Sequence, residues 1–427
     1  MQEPKDLPVS EMAENLVGSE IIKLAGEIKK KIANGASIHN FTIGDFNPAI
    51  FPIPAALKEG IIHQYQSNQT NYPAANGMPE LRTSVSKYIE KRQGLSYHPD
   101  EVLISGGARP LIYAAYQAVV DPTDKIVFPV PSWNNNHYTH LSRGNSIMVE
   151  TSPESNFMPT AQQLEDKMKD ARLLALCSPL NPTGTCFTEE QLLGILELVR
   201  DINQNRDSKQ EKPLYLIYDQ IYWQLTLGST KHVDPVSLMP ELRPYTIYID
   251  GLSKAFAATG VRVGWAMGPA KIIGKMRAIL GHVGAWSPKA EQLATANFLQ
   301  QDEEVDSYLK DIKSKIDERL TGFFNGIQSL KEKGMPVNAI DPQGAMYLTV
   351  QFNLIGAKTS EGNTLEKVED VTSYLLNEAG LAIVPFYAFG ADRSSTWYRL
   401  SVGTAQQNHP SEVTHNLEKA ISKLQWS

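Results

Sequence analysis

The stretch that decides the fold is a lysine-containing loop that directly follows an apolar, strand-like run over residues 245–250. The loop is Gly251-Leu252-Ser253-Lys254-Ala255-Phe256-Ala257-Ala258-Thr259-Gly260-Val261-Arg262-Val263-Gly264-Trp265. It places Lys254 just past a predicted strand end, and Arg262 follows among small residues. Open α/β sheets bind their ligands at the carboxyl ends of their strands. A solvated surface lysine is the commoner explanation for such a residue alone, so the rest of the chain must decide.

The composition is that of a globular protein, with 427 residues of which 42% are hydrophobic and 20% charged, long enough for two domains. The net charge of −7 offers no basic surface for nucleic acid. No apolar run approaches the roughly 20 residues that cross a bilayer, and the first residues lack a signal-peptide pattern. Cys177 and Cys186 form no CxxC motif and no histidine cluster accompanies them, which argues against disulfides and a structural zinc site. We therefore expect a cytoplasmic enzyme without a metal, a membrane anchor or a nucleic-acid partner.

Strands and helices alternate between residues 100 and 265, which predicts an α/β fold with a largely parallel sheet and helices on both faces. The predicted strands are 102–105, 125–129, 173–177, 214–218 and 245–250, and the predicted helices include 110–119 and 189–202. Gly107, Asn181, Asp219 and Lys254 each follow a predicted strand. Because the carboxyl ends of parallel strands share one edge of a sheet, these residues can converge there.

The turn Gly106-Gly107-Ala108-Arg109 lies between a predicted strand and a helix that we expect to begin at Pro110. Such a turn directs free backbone N–H groups and the positive end of the helix dipole at one point, so it is suited to a phosphate. Asp219 follows five apolar residues, where an aspartate is costly to bury unless it is paired.

Outside this region the pattern indicates a helix over 19–34 that Ser19 caps and Gly35 ends, and a short strand over 38–43. Thr188 is expected to cap the helix that follows it. Further helices are expected over 80–92, 290–301, 303–330 and 367–380, and further strands over 345–350, 382–385 and 397–402. Arg399 stands inside the last of these, where an arginine usually faces solvent.

Four sequence motifs, taken in order along the chain, resemble those of the class I/II aminotransferases of fold type I, the family that includes the aspartate aminotransferases. They are Tyr72 with Gly77 and Pro79-Glu80-Leu81-Arg82, the Gly106-Gly107 turn, Asn181-Pro182-Thr183-Gly184, and Ser253-Lys254 with Arg262. The resemblance implies a large domain with a mostly parallel seven-stranded sheet flanked by helices, and a smaller α+β domain. The implied borders are 1–48 for an N-terminal segment that packs with the small domain, 49–300 for the large domain and 301–427 for the small one.

The resemblance also implies a cofactor, pyridoxal 5′-phosphate, held as a Schiff base on Lys254. Asp219 would keep the pyridine nitrogen protonated, while Asn181 and Tyr222 would bond the phenolic oxygen. The phosphate would contact Gly107, Ala108, Arg109, Ser253, Arg262 and Tyr72 of a partner subunit, so a homodimer with shared active sites is implied. Trp133 would lie flat on the pyridine ring.

For the substrates, an amino acid and a 2-oxo acid, the resemblance assigns the α-carboxylate to Arg399, with Gly44, Trp133 and Asn181 completing the pocket. An arginine can bind a carboxylate through two parallel bonds, which a lysine cannot match. The loop after Gly44 departs from the family, because the familiar Gly-x-Pro is replaced by Gly44-Asp45-Phe46-Asn47-Pro48.

Substrate identity stays open in the sequence. Related enzymes of the aspartate type often have a lysine after the glycine pair that binds the distal carboxylate, whereas here Ala108 holds that position and Arg109 follows. Either Arg109 substitutes for that lysine, or it binds the phosphate and the enzyme prefers other side chains. Phe46, Tyr72 and Tyr387 could line a pocket for an aromatic substrate. The expectation is an aspartate or aromatic donor with an acceptor such as 2-oxoglutarate.

Two other functions compete with amino transfer. A carbon–sulfur lyase or another amino-acid enzyme on the same fold would keep Lys254, Asp219 and Arg399. A non-catalytic regulator that binds the cofactor would carry an added DNA-binding segment, for which the stretch before Phe41 leaves no room.

Overall fold

The structure is a computed structural model that describes residues 7–16, 18, 20–207 and 210–426. Its strands are β1 His39–Asn40, β2 Val102–Ser105, β3 Lys125–Val130, β4 Asn145–Glu150, β5 Ala171–Cys177, β6 Tyr215–Asp219, β7 Thr246–Gly251, β8 Gly264–Met267, β9 Val337–Ala339, β10 Tyr347–Phe352, β11 Leu381–Ala382, β12 Val384–Pro385 and β13 Trp397–Ser401. Its α-helices are α1 Glu11–Glu14, α2 Glu20–Ala33, α3 Ala55–Gln66, α4 Pro79–Gln93, α5 Ala108–Val119, α6 Asn135–Leu141, α7 Ala161–Met168, α8 Glu189–Asn205, α9 Pro235–Leu238, α10 Leu252–Ala255, α11 Ala270–Val283, α12 Lys289–Phe298, α13 Asp302–Glu332, α14 Val368–Glu378 and α15 His409–Ile421.

The largest sheet of the described residues has seven strands in the order β2-β8-β7-β6-β5-β3-β4. The pairs β4–β3, β3–β5, β5–β6 and β6–β7 are parallel, and β8 runs antiparallel to both of its neighbours. The predicted mostly parallel, seven-stranded sheet is therefore confirmed. Because β8 runs the other way, its first residues lie at the edge where the parallel strands end, and this brings Arg262 to the same edge as Lys254.

Both faces of this sheet are covered, as the nearly continuous apolar strands predict. In β5, Leu174 and Leu176 pack on one face with helices α3, α4, α7, α8 and α12, while Leu173 and Ala175 pack on the other with α5 and α11. The alternation follows from the two-residue repeat of a strand. A sheet buried on both sides leaves its carboxyl edge as the place where polar side chains can meet a ligand.

A second, antiparallel sheet of the described residues has the order β12-β13-β10-β9, and β1 pairs in parallel with β11 beside it. Helix α13 extends over 31 residues, from the core of the large sheet at Val305 to the core of the small one at Leu330. Strand β13 lies inside the small sheet and carries Arg399, opposite Thr349 on β10. The small sheet thus holds this arginine from one side, the segment after β1 carries Gly44, and the large sheet and its loops supply most of the other site residues.

Several local predictions need correction. The strand expected over 38–43 ends at Asn40, because the Asn40 side-chain oxygen accepts hydrogen bonds from the backbone and the hydroxyl of Thr42 and turns the chain. Helix α5 begins at Ala108, so Pro110 is its third residue. A proline is tolerated there because the first four N–H groups of a helix have no partner within it.

Other boundaries shift by a few residues. Asp219 is the last residue of β6 and does not follow it. The strand expected over 382–385 is two short strands, β11 and β12. Thr188 caps α8 as predicted, since its side chain accepts from the backbone N–H of Gln191. Ser19, the expected cap of α2, lies outside the described residues. In the described part of the chain, no helix is both long enough and apolar enough to cross a membrane.

Candidate active site

A cavity of about 680 Å³ opens at the carboxyl edge of the seven-stranded sheet. Most of the residues predicted from the sequence line it together: Gly44, Ala108, Arg109, Trp133, Asn181, Asp219, Tyr222, Ser253, Lys254, Arg262 and Arg399. Gly107 and Tyr72 are not among the lining residues. The convergence expected from the strand ends is therefore present in the fold.

Lys254 lies on the one-turn helix α10 and points its amine into the cavity. The amine donates a hydrogen bond to the carbonyl oxygen of Gly44 at 2.6 Å and lies 5.8 Å from the centre of the Tyr222 ring. Burial lowers the pKa of Lys254 to about 8, because the charged form loses its hydration; Asp45 opposes this change, and Arg399, Arg109 and Arg262 add to it. The amine is still mostly protonated at pH 7, but its unprotonated fraction is much larger than that of a lysine with the ordinary pKa of 10.5.

Asp219 lies on the floor of the cavity at the end of β6. Burial raises its pKa to about 6, while the backbone N–H of Ile221, which donates to its carboxylate at 3.0 Å, and the charge of Lys254 act in the opposite direction. A carboxylate in this environment gains most from a cationic partner in the cavity. The site therefore favours a ligand with a protonated nitrogen at this position.

Arg399 has a relative exposure of only 1%, so the expectation that a strand arginine usually faces solvent is wrong here. Its guanidinium donates to the side-chain oxygen of Asn181 at 3.0 Å and to the carbonyl oxygen of Thr42 at 2.7 Å. It also lies 4.7 Å from the ring centre of Tyr347 and 4.8 Å from that of Phe389. Its Nε is buried and has no hydrogen-bond partner among the described residues. A buried cation with neutral partners is a site for an anion.

The turn before α5 forms a cradle with Arg262. Gly107 has φ +98°, which strains any other residue, and a Cβ atom at this position would lie 2.4 Å from Nη2 of Arg262 and would displace that guanidinium. Arg262 itself donates to the carbonyl oxygens of Thr259 at 2.6 Å and Gly106 at 2.7 Å. The helix start and this cation meet at one point, which is the geometry of a phosphate site.

Trp133 lies after β3, and the guanidinium of Arg109 is 5.1 Å from the centre of its ring. Arg109 makes no hydrogen bond and no ion pair with the described residues, which contrasts with the doubly bonded Arg262. Tyr222 is buried and shares a hydrogen bond of 2.6 Å between its hydroxyl and that of Tyr347. Both hydroxyls border the cavity, so they can turn to a ligand.

Tyr72 lies away from the cavity and is 82% exposed, in edge contact with Trp286 at 5.3 Å between ring centres. Within one chain, then, the structure does not bring Tyr72 to the other site residues. Its contribution requires a second subunit.

Sequence reasoning missed several lining residues, among them Asp45, Thr259, Tyr347 and Cys177. Asp45 could have been noticed as a charged residue beside Gly44. Tyr347 lies two residues before Thr349 on β10, so the two share a face, but the pairing of Thr349 with Arg399 emerges only from the fold. No signal in the sequence singles out Cys177.

One cluster outside the cavity bears on the expected absence of a metal: potential ligand atoms of His39, His409 and Glu412 lie within 4.8 Å of one another. His409 and Glu412 lie three residues apart on α15, but His39 is distant from both in sequence, so no histidine cluster was expected. Nδ1 of His409 accepts the backbone N–H of Gln406 at 3.1 Å, which leaves the proton of the neutral ring on Nε2. Tetrahedral zinc, with bonds of roughly 2.1 Å, also needs ligand atoms about 3.4 Å apart. The absence of a metal stays a prediction.

The class of protein that the sheet and this cavity define is a fold type I pyridoxal-phosphate enzyme. The family model for aminotransferase class I and II matches residues 37–410. The chain belongs to this family, whose aspartate aminotransferases use pyridoxal 5′-phosphate, and it is a pyridoxal-phosphate-dependent aminotransferase.

Individual relatives agree with this assignment. The chain is 26% identical to an aspartate aminotransferase of Rhizobium meliloti (strain 1021) over 391 residues, 91% of this chain and 90% of the relative. It is 27% identical to a probable aspartate/prephenate aminotransferase of Rickettsia conorii over 412 residues, 95% of this chain and 94% of that one. The fold is similar to the crystal structure of the aspartate aminotransferase from Rhizobium meliloti, with a TM-score of 0.88 and 24% identity over 98% of this chain and 100% of that one.

The residues of the cavity fit the family's cofactor on features of this structure. The cradle at Gly107 favours glycine and suits a phosphate, the carboxylate of Asp219 has no cationic partner other than Lys254 among the described residues, and the Lys254 amine has a lowered pKa. Together they offer an anion site, a partner for a protonated nitrogen and a nucleophilic amine in one cavity.

Proposed function

We propose that this aminotransferase moves the amino group of an acidic L-amino acid, with aspartate as the first candidate, to a 2-oxo acid such as 2-oxoglutarate. The observation that carries the proposal is that Arg109 lines the same cavity as the buried Arg399 and makes no hydrogen bond or ion pair with the described residues. Two arginines in one cavity suit a substrate with two carboxylates. The names of the relatives, aspartate and aspartate/prephenate aminotransferase, support the same substrate class.

In this proposal the cofactor is held at three points. Lys254 would bind its aldehyde carbon, Asp219 would pair with its pyridine nitrogen, and the turn at Gly107 and Ala108 would bind its phosphate together with Ser253 and Arg262. Asn181 and Tyr222 are proposed to bond its phenolic oxygen, and Trp133 to cover its ring. When bound, pyridoxal phosphate supplies an electron sink for the pair of electrons left at the substrate α-carbon.

Lys254 is proposed to be the base that moves the reacting proton. Its Nζ would take the proton from the substrate α-carbon in its unprotonated form, and a pKa of about 8 leaves about a tenth of the amine unprotonated at pH 7, far more than an ordinary lysine. Asp219, as the anion, favours the protonated nitrogen and so maintains the electron sink. Tyr222 and its partner Tyr347 keep the hydroxyl network of the cavity in place through their 2.6 Å bond.

Arg399 is proposed to hold the substrate α-carboxylate by two parallel hydrogen bonds. Its position is fixed before substrate arrives, because Asn181 and the carbonyl oxygen of Thr42 accept two of its N–H groups. Gly44 lies beside it: a Cβ atom there would be 2.9 Å from the Tyr347 hydroxyl and 3.6 Å from Nη1 of Arg399. A side chain at position 44 would therefore occupy the space of the substrate carboxylate.

Arg109 is assigned to the second carboxylate and not to the phosphate. Arg262 is already bonded to the Gly106 carbonyl oxygen next to the cradle, so the phosphate has its cation. Arg109, on the face of Trp133, is free to turn to the substrate side chain. An aromatic donor is the second candidate, since the rings of Trp133, Phe389 and Tyr347 surround the two arginines.

We further propose that the active unit is a homodimer in which Tyr72 reaches the partner's phosphate, supported by the exposure of this large side chain outside its own cavity. The division at 48 and 300 remains our proposal for the domain borders. The cytoplasmic location likewise stays a prediction, supported by two cysteines that form no disulfide.

The experiment is to measure kcat/KM for aspartate, tyrosine, phenylalanine and alanine with 2-oxoglutarate as acceptor. Aspartate should have the highest kcat/KM of the four amino acids. Arg109→Gln should lower the kcat/KM for aspartate about 10- to 100-fold, since a charged hydrogen bond contributes about 1.5–3 kcal/mol. The same substitution should change the kcat/KM for alanine little. The matched control is Arg393→Gln, which removes an exposed arginine outside the cavity. Equal losses for aspartate and alanine would refute the role of Arg109. Release of pyruvate and ammonia without an oxo acid would instead indicate lyase chemistry.

A further inference from the structure

Asp45 has no role in the machinery described so far, yet it stands between two loops of the cavity. Its carboxylate accepts a hydrogen bond from the backbone N–H of Phe46 at 2.8 Å and from the hydroxyl of Thr259 at 2.7 Å. Thr259 belongs to the loop that follows Lys254, and both Asp45 and Thr259 line the cavity. The bond therefore joins the segment after β1 to the lysine loop, across 214 residues of sequence.

The same segment touches the reactive amine directly. Gly44, the neighbour of Asp45, accepts the hydrogen bond from Lys254 through its carbonyl oxygen at 2.6 Å. The segment is also held from the other side, because the backbone N–H of Asn47 donates to the carbonyl oxygen of Gly403 at 2.8 Å. The position of the Gly44 carbonyl thus depends on a loop that Asp45 fixes through its side chain and Gly403 through its backbone.

Beyond Thr259 the hydrogen bonds continue to the phosphate cradle. The carbonyl oxygen of Thr259 accepts from Arg262 at 2.6 Å, and Arg262 donates onward to Gly106 at 2.7 Å. Asp45, Thr259, Arg262 and Gly106 therefore form one continuous series from the substrate side of the cavity to the anion side.

The charges that face Lys254 come from several elements. Arg399 on β13, Arg109 on α5 and Arg262 before β8 are cations that lower the pKa of the amine, and Asp45 is the carboxylate that raises it. Asp219 on β6 also interacts with the amine, which lowers the pKa of that aspartate. Asp45 is therefore the anion that most directly offsets three arginines.

We propose that Asp45 is a positioning residue for Lys254: its bond to Thr259 fixes the loop that presents the Gly44 carbonyl to the amine, and its charge balances the three arginines around that amine. The proposal rests on the proposed role of Lys254 in holding the cofactor. It adds a residue that the family's usual Gly-x-Pro loop did not indicate.

The test separates the charge of Asp45 from its hydrogen bonds. Asp45→Asn keeps an acceptor oxygen for Phe46 and Thr259 but removes the charge, whereas Thr259→Val removes one bond and keeps the charge. Asp45→Glu restores the charge on a longer side chain. The matched control is Asp392→Asn, which removes a carboxylate outside the cavity whose hydrogen-bond partner is Ser394.

The first readout is the midpoint, against pH, of the visible band of the holoenzyme. The second is the midpoint for labelling of Lys254 by an amine reagent in cofactor-free full-length protein, measured by peptide mass spectrometry. Loss of a nearby negative charge destabilises the protonated form, so Asp45→Asn should lower both midpoints by about one pH unit. Asp45→Glu should recover at least half of that change, and Asp392→Asn should leave both midpoints in place.

Thr259→Val should move both midpoints by less than half the change seen in Asp45→Asn. It should raise the KM for amino acids about three- to tenfold, because the lost hydrogen bond contributes about 0.5–1.5 kcal/mol. Midpoints of Asp45→Asn that stay within about 0.2 units of the native enzyme would overturn the proposal. Failure of the proposed role of Lys254 would look different, because borohydride would then attach the cofactor to a residue other than Lys254 or to none.

Discussion

Replacing Asp219 by asparagine should stabilise the cofactor-free protein while it destroys activity. Burial raises the pKa of this carboxyl from 3.8 to about 6, so the folded protein holds the charged form at a cost. At about 1.36 kcal/mol per pKa unit, the cost is about 3 kcal/mol above pH 6. The pKa of Asp219 is higher in the folded protein than in the unfolded chain. Its protonated carboxyl therefore contributes its full stability below pH 3.8, and this contribution to the free energy of unfolding is lost as the pH rises through 6. The advantage of Asp219→Asn should therefore be about 3 kcal/mol at pH 8 and about half that at pH 5.

The assay is urea unfolding of native and variant protein, both freed of cofactor, at pH 8 and pH 5. The variant should have the higher free energy of unfolding at both values, with the larger difference at pH 8, and its turnover with cofactor should fall at least about 100-fold, or 2.7 kcal/mol of barrier. Asp392→Asn serves as the control, because this carboxylate lies outside the cavity. A variant that is less stable than the native protein at pH 8, or that retains turnover within about tenfold, would refute the reasoning.

Three further predictions concern single side chains. Arg399→Lys should raise the KM for amino acids at least about tenfold, since lysine cannot form two parallel bonds to a carboxylate; an unchanged KM in steady-state assays would remove Arg399 from the substrate site. Gly107→Ala should weaken cofactor binding at least about tenfold, measured by equilibrium dialysis, because its Cβ would lie 2.4 Å from Nη2 of Arg262 and φ is +98°. Gly94→Ala is the control for backbone strain alone, because Gly94 has φ +74° and open space around it. Lys254→Ala should bring turnover to the detection limit while the fold, followed by circular dichroism, stays intact; normal turnover would contradict its assignment.

The sheet and its functional edge could be predicted because their signals are local. Apolar runs ended by Gly107, Asn181 and Lys254 mark strand ends, and the rule that parallel strands end at one edge then brings the residues together. Strand β6 was predicted to end at residue 218, one residue too early, because an aspartate inside a buried strand contradicts the usual composition of strands.

The remaining parts of the site depend on contacts that are distant in sequence. The burial of Arg399 follows from its place inside a sheet whose pairing partner, Thr349, is 50 residues away, and Tyr347 joins the site only through that pairing. The bond from Thr259 to Asp45 spans 214 residues and has no local pattern. The sequence also does not distinguish Arg262, which bonds the Gly106 carbonyl oxygen, from Arg109, which makes no hydrogen bond with the described residues.

The most direct test of the central claim is to treat the holoenzyme with borohydride and to identify the modified residue by peptide mass spectrometry. The account predicts a single pyridoxyl-phosphate adduct, on Lys254, and loss of that adduct when aspartate has first bleached the visible band. An adduct on another lysine, or a protein that gains neither colour nor adduct with added pyridoxal phosphate, would contradict it.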